Sequence, residues 1–154
     1  FVEREVAERL GWSHVRPDFT DLDAKHEVSA LGDVFARERR LLGLARSAAA
    51  NGPLVLAGSS LGAYIAARVS LQVPVAALFL LAPPVRMGAA APLEAAAVPT
   101  SIVHGWDDEL IPVADVVAWA APRRARLLLV DDTHRLSAHV RASADAFAAL
   151  LSAL

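Results

Sequence analysis

Ser60 stands in the stretch Leu56-Ala57-Gly58-Ser59-Ser60-Leu61-Gly62-Ala63, with a glycine two residues to either side. A serine projected from a sharp strand-to-helix turn presents an exposed hydroxyl able to attack an acyl carbon, and crowding at such a turn favours very small flanking residues. On that reading Ser60 is a nucleophile, and the backbone N–H of Leu61, at the start of the following helix, is free for a developing oxyanion. The pattern alone is weak, because three fixed Gly and Ser positions recur by chance in roughly one chain in twenty of this length. A Gly/Ser loop joining a strand to a helix would read the same. What favours chemistry is the context, an apolar run over Leu54–Ala57 and a helical pattern over Leu61–Ser70.

Two further stretches carry groups that could handle a proton. His104-Gly105-Trp106-Asp107-Asp108-Glu109-Leu110-Ile111-Pro112 follows the apolar run Thr100–Val103, and Asp131-Asp132-Thr133-His134 follows Arg126–Val130. Loop aspartates are more often turn formers than catalysts, and Asp131-Asp132 reads as a turn cap. His14, His26 and His139 read as surface residues, since none of them ends a strand. His104 does end one, which fits a packing role that shapes the Asp107-Asp108 loop. Trp106 reads either as a pocket wall or as a packed aromatic. A metal site built from His104, Asp107, Asp108 and His134 lacks the compact helical ligand spacing of a zinc motif, so no metal and no cofactor is expected.

Serine, acid and histidine in this chain order resemble the α/β-hydrolases, in particular their small lidless esterase-like members, and the resemblance runs over nearly the whole chain. In that family the acid loop reads His-Gly-x-x-Asp-x-x-Val/Ile-Pro, and the residue four after the histidine is the triad acid. Here that position is Asp108, with Asp107 as its neighbour and alternative. The family's histidine lies after the last strand, where this chain has His134. The resemblance therefore implies Ser60 as nucleophile, His134 as general base and acid, and Asp108 as the carboxylate that orients the imidazole. It implies an enzyme cleaving a carboxylic ester or thioester through an acyl-enzyme intermediate, with Leu61 in the oxyanion hole.

Three places depart from the family pattern. The family's second oxyanion donor comes from a His-Gly-x loop whose position would fall before Phe1. The expectation is thus one domain over residues 1–154 that lacks the N-terminal strand or strands and the first oxyanion loop. Asp18-Phe19-Thr20-Asp21 lacks the Gly-rich turn many members carry there. The segment Pro83–Pro99 is too short for a helical cap, which implies an open site. The missing donor loop also favours an alternative, a catalytically idle hydrolase fold used as a binding or interaction module.

The elements that must position these residues follow from periodicity. Val2, Val6 and Leu10 suggest an amphipathic helix ended at Gly11, Trp12–Arg16 a short strand, and Phe19–Glu27 an acidic loop. Leu31, Val34, Phe35, Leu41, Leu42, Ala45 and Ala49 predict one face of a long helix stopped by Asn51-Gly52-Pro53. Val75–Leu81 reads as a strand buried on both faces, Thr100–His104 and Arg126–Val130 as further strands, and Pro112 as the first turn of a helix. The Ala/Pro-rich stretch Pro83–Pro99 reads as an excursion over the sheet's edge. Val140, Ala144, Phe147, Leu151 and Leu154 mark a closing amphipathic helix. Strands alternating with helices give the α/β class, a mostly parallel sheet with helices on both faces and ligands bound outside the strands' carboxyl ends.

Composition bounds the function. A chain of 154 residues, 55% of them hydrophobic, suits one domain with a sizeable core. Fifteen Lys and Arg against 17 Asp and Glu give a net charge of −2, which offers no field for nucleic acid. The absence of cysteine removes disulfides, thiolate chemistry and cysteine zinc sites. No run is long enough to span a bilayer, and Phe1–Leu10 does not resemble a signal peptide, which leaves cytoplasm as the default location. The expected partner is a small ester or thioester; the oligomeric state is not legible.

Overall fold

The structure is a computed structural model and describes residues 2–23, 30–86 and 91–154. His26, expected at the surface, and part of the loop expected over Phe19–Glu27 lie outside the described residues. The chain runs α1 (Val2–Arg9), α2 (Thr20–Asp23), α3 (Ala30–Ala49), β1 (Val55–Ser59), α4 (Leu61–Ser70), β2 (Ala77–Leu81), β3 (Thr100–Gly105), α5 (Val113–Arg123), β4 (Arg126–Val130) and α6 (Val140–Ser152). The four strands form one sheet in the order β1-β2-β3-β4, and every neighbouring pair is parallel.

Alternation along the strands divides the apolar runs between two layers. Leu56, Leu78, Leu80 and Ile102 join residues of α3, α4 and α5 in one buried cluster. Ala77, Phe79, Val103 and Val130 join α1 and α6 in the other, where the Phe79 and Phe147 rings lie 4.8 Å apart. A sheet buried on both faces explains why Val75–Leu81 shows no polar alternation. No helix among the described residues is long and apolar enough to cross a membrane.

Four expectations need correction. Trp12–Arg16 is not a strand: Trp12 packs against the α1–α6 layer, but Val15 is exposed, and β1 pairs only with β2 among the described residues. Within the expected acidic loop, residues 20–23 form a short helix, because Asp18 accepts the Thr20 N–H and hydroxyl while Asp21 takes a two-pronged bond from Arg40 of α3. That guanidinium draws the Asp21 carboxyl down to about 2. On α3 it is Glu38, not Phe35, that faces inward, held by Arg68 at 2.8 Å and Gln72 at 2.9 Å on α4; Phe35 is exposed.

The described residues between Pro83 and Pro99 do not lie over an edge of the sheet. The stretch joins β2 to β3, the two central strands, and packs Leu93 and Ala95 into the α4–α5 layer. Ala96 N–H bonds the Ser70 hydroxyl at 2.9 Å, and the Trp119 indole N–H bonds the Leu93 carbonyl at 2.7 Å. This parallel crossover contains no helix among its described residues, although helices are the usual means of making one.

Candidate active site

Ser60 sits between the end of β1 and the start of α4 with φ 52° and ψ −119°, a backbone conformation rarely tolerated outside glycine. Its own N–H continues the ladder to Leu81 at 2.8 Å, and its carbonyl accepts from Ala63 and Tyr64 in the first turn of α4. The chain reverses so tightly that a Cβ on Gly58 would lie 2.3 Å from the Gly62 carbonyl carbon and oxygen. Gly62 is different, since a Cβ there would meet nothing within 4 Å. Crowding therefore demands glycine before the serine and not after it. Among the described residues no hydrogen bond engages the Leu61 N–H, next in the chain.

The loop after β3 is built around the Asp108 carboxylate, whose side chain is fully buried. One oxygen accepts the N–H groups of Leu110 at 2.8 Å and Ile111 at 2.7 Å. The other lies 2.8 Å from His134 Nδ1 and 3.5 Å from His104 Nε2. Burial pushes this carboxyl up, but the bonds from Ile111, His134 and Leu110 outweigh it and hold the group below the usual carboxylate range. His104 is wholly buried, with Nε2–H donating to the Ile111 carbonyl at 2.9 Å and Nδ1 without a partner among the described residues. It thus braces the far end of the loop that carries Asp108, as its place at a strand end suggested. Asp107 and Trp106 are exposed.

His134 occupies the loop after β4, its imidazole mostly buried. Because a carboxylate only accepts, Nδ1 carries the proton and Nε2 is left as the acceptor. The Ser60 hydroxyl lies 2.8 Å from that Nε2 and donates to it. Three residues far apart in the sequence thus form one hydrogen-bonded line, from hydroxyl to imidazole to carboxylate. Asp107 makes no such contact.

Two partners of this loop carried no sequence signal of their type. The backbone N–H of His134 reaches Glu109 Oε2 at 3.2 Å. His139, expected at the surface, is only partly exposed and pairs with Asp132 at 3.0 Å. The position of His139 immediately before an amphipathic helix is the one clue the chain offered. His14 is exposed, as expected. No group of three or more His, Asp or Glu among the described residues is arranged to hold a metal ion. A groove of about 790 Å³ between α5 and the β2–β3 connection is not lined by Ser60, Asp108 or His134.

Compared with known proteins, the chain is 66% identical to a protein from Xanthomonas campestris pv. campestris described as a hydrolase of the alpha/beta superfamily; the match covers 99% of this chain and 88% of that one, with a TM-score of 0.94. The chain belongs to the α/β-hydrolase superfamily. A serine hydrolase homologue from Coxiella burnetii is 25% identical over 97% of this α/β-hydrolase and 74% of its own length, with a TM-score of 0.76. A serine hydrolase without a lid from Xanthomonas campestris, 21% identical over 95% and 68% of the two chains with a TM-score of 0.71, shares the fold. No family model and no curated protein matches this α/β-hydrolase.

Proposed function

We propose that this α/β-hydrolase cleaves carboxylic esters or thioesters through an acyl-enzyme intermediate, with Ser60, His134 and Asp108 as its triad. The observation that carries the reading is the unbroken line of two 2.8 Å hydrogen bonds from the Ser60 hydroxyl through His134 to Asp108. A serine hydroxyl is a poor nucleophile until a base takes its proton, and His134 Nε2 is in place to do so as Oγ attacks the carbonyl carbon. The buried Asp108 carboxylate then stabilises the imidazolium and fixes the tautomer. The uncommitted Leu61 N–H, at the start of α4, donates to the carbonyl oxygen as it gains charge; a single donor of this kind is worth about a hundredfold to a thousandfold in rate.

Collapse of the tetrahedral intermediate breaks the bond to the alcohol or thiol, which leaves with the proton from His134. Water, deprotonated in turn by His134, attacks the acyl-Ser60 ester and releases the acid. Ser60 is partly exposed, which suits an open site and a broad or large acyl ester. The test is covalent labelling by a fluorophosphonate probe. Labelling is expected for the wild type and abolished in both Ser60→Ala and His134→Ala. A wild type that resists the probe and turns over no p-nitrophenyl ester would leave a fold without catalysis, serving as a binding module.

A further inference from the structure

We propose that Asp132, together with His139, is a positioning device for His134, a role that rests on the reading of His134 as the general base. The segment 131–139 that joins β4 to α6 has no helix or strand, yet it must hold an imidazole to within hydrogen-bond distance of Ser60. Ordering such a loop is entropically unfavourable, so something in it must fix its shape.

The Asp132 side chain is that element. It is buried, only 6% exposed, and lies near the start of the segment it organises. Oδ1 accepts the Thr133 N–H at 2.7 Å, while Oδ2 accepts the Ala138 N–H and the His139 Nδ1–H, each at 3.0 Å. One carboxylate therefore gathers donors from both ends of the loop, with His134 between them. Leu136, buried in the α1–α6 layer at φ 54°, anchors the middle.

The backbone of the same residue joins this loop to the one that carries Asp108. The Asp132 carbonyl accepts the Asp107 N–H at 3.0 Å, and a Cβ on Gly105 would lie 2.3 Å from that carbonyl oxygen. Asp132 thus sets the shape of the His134 loop through its side chain and its distance from Asp108 through its main chain.

The arrangement calls for a carboxylate in particular. Three donors converge on two acceptor oxygens, whereas an amide offers one oxygen and turns its own N–H groups towards the donors on the other side. Asp132→Asn therefore releases one end of the loop while changing the side-chain volume very little. His139→Ala removes one donor. His139→Asn retains it, because the amide nitrogen of Asn sits where the imidazole Nδ1 was.

The experiment compares these variants with the wild type on p-nitrophenyl acetate and follows the His134 Nδ1–H proton by NMR. Since a displacement of about 1 Å at a reacting group is worth roughly a hundredfold, kcat is expected to fall about tenfold to a hundredfold in Asp132→Asn with KM within about twofold. His139→Ala should lose about threefold to tenfold in kcat, and His139→Asn should recover to within about twofold of wild type. The His134 Nδ1–H resonance, protected in the wild type by its bond to Asp108, should exchange with water faster in Asp132→Asn, broadening or disappearing. A residue that only stabilised the fold would lower the melting temperature without moving any of these.

A folded Asp132→Asn with wild-type kcat and an unchanged resonance overturns the proposal. Should Asp132→Asn not fold, the His139 pair decides, and equal kcat in His139→Ala and His139→Asn overturns it. The resonance needs no turnover, so it separates this proposal from the hydrolase reading. If the wild type proves inert but the proton is lost in Asp132→Asn, positioning stands and the activity assignment falls.

Discussion

Replacing Gly58 with alanine tests the geometry of the turn at Ser60 most directly. The new methyl would lie 2.3 Å from the carbonyl carbon and oxygen of Gly62 and 2.6 Å from the Ala63 nitrogen, about 1 Å inside ordinary contact. All three are main-chain atoms, so no side chain can swing aside. The first turn of α4 is itself held by Ala63 and Tyr64 bonding the Ser60 carbonyl at 2.9 and 3.1 Å, and Ala63 is wholly buried. Overpacking of this severity belongs at or above the upper end of the usual range, about 3 kcal/mol. In a domain of this size that lowers the melting temperature by about 6–12 °C. Relief of the clash pushes α4 and Ser60 away from His134, so fluorophosphonate labelling should slow by roughly a hundredfold. Gly62→Ala is the control. Its methyl meets nothing within 4 Å, and removing a glycine from a helix is worth about 0.8–1 kcal/mol, a rise of roughly 2–4 °C. Calorimetry on the two variants decides: a Gly58→Ala melt within about 2 °C of wild type, or equal losses at both glycines, would refute the reasoning.

The other predictions concern the acid loop and the core. Asp108→Asn should reduce kcat by about four orders of magnitude, since an amide no longer fixes the imidazole tautomer, whereas Asp107→Asn, at an exposed position, should change it less than about threefold in the same ester assay. Because the Asp108 carboxyl titrates below its ordinary range when folded, its ionised form adds stability above about pH 4, and that contribution is lost as pH falls through the lower folded value. In urea unfolding the penalty of Asp108→Asn should therefore be full at about pH 6 and shrink below about pH 4; a penalty equal at both would contradict the assignment. Trp119→Phe removes the indole donor 2.7 Å from the buried Leu93 carbonyl, so a loss of about 2 kcal/mol, roughly 4–8 °C in melting temperature, is expected with turnover retained.

Much of the architecture was legible because period and punctuation agreed. Leu61–Ser70 and Arg126–Val130 were bounded correctly, whereas the strand expected to end at Ala57 runs on to Ser59 and the one expected to end at His104 runs on to Gly105. What periodicity missed lacked a periodic signal. The turn of helix at Thr20–Asp23 is too short to show one and depends on Arg40, distant in sequence. Trp12–Arg16 includes strand-forming residue types, yet β1 takes only β2 as its neighbour among the described residues, a fact of strand order that the local sequence does not carry. Phe35 looked like a core residue by type, yet the buried position one turn away belongs to Glu38, which only its partners on α4 make tolerable. The path of Pro83–Pro99 depended on strand order, which local composition does not encode. At the site, the residue types at 60, 108 and 134 were readable, and the structure brings all three together. The asymmetry between Gly58 and Gly62 and the pairing of Asp132 with His139 were not, because each depends on a through-space distance.

Strand order also sets a span. Adjacent strands lie about 4.8 Å apart, so β1 and β4 stand roughly 14 Å from each other across the sheet. The hydroxyl leaves from one margin of this ribbon and the imidazole from the opposite margin, yet they end 2.8 Å apart. That gap is bridged above the strands, so the length of the segment between Val130 and Val140 helps to decide whether the two groups meet. Lengthening or shortening that arch by one residue would part the Ser60 hydroxyl from the His134 imidazole while leaving every strand pairing intact.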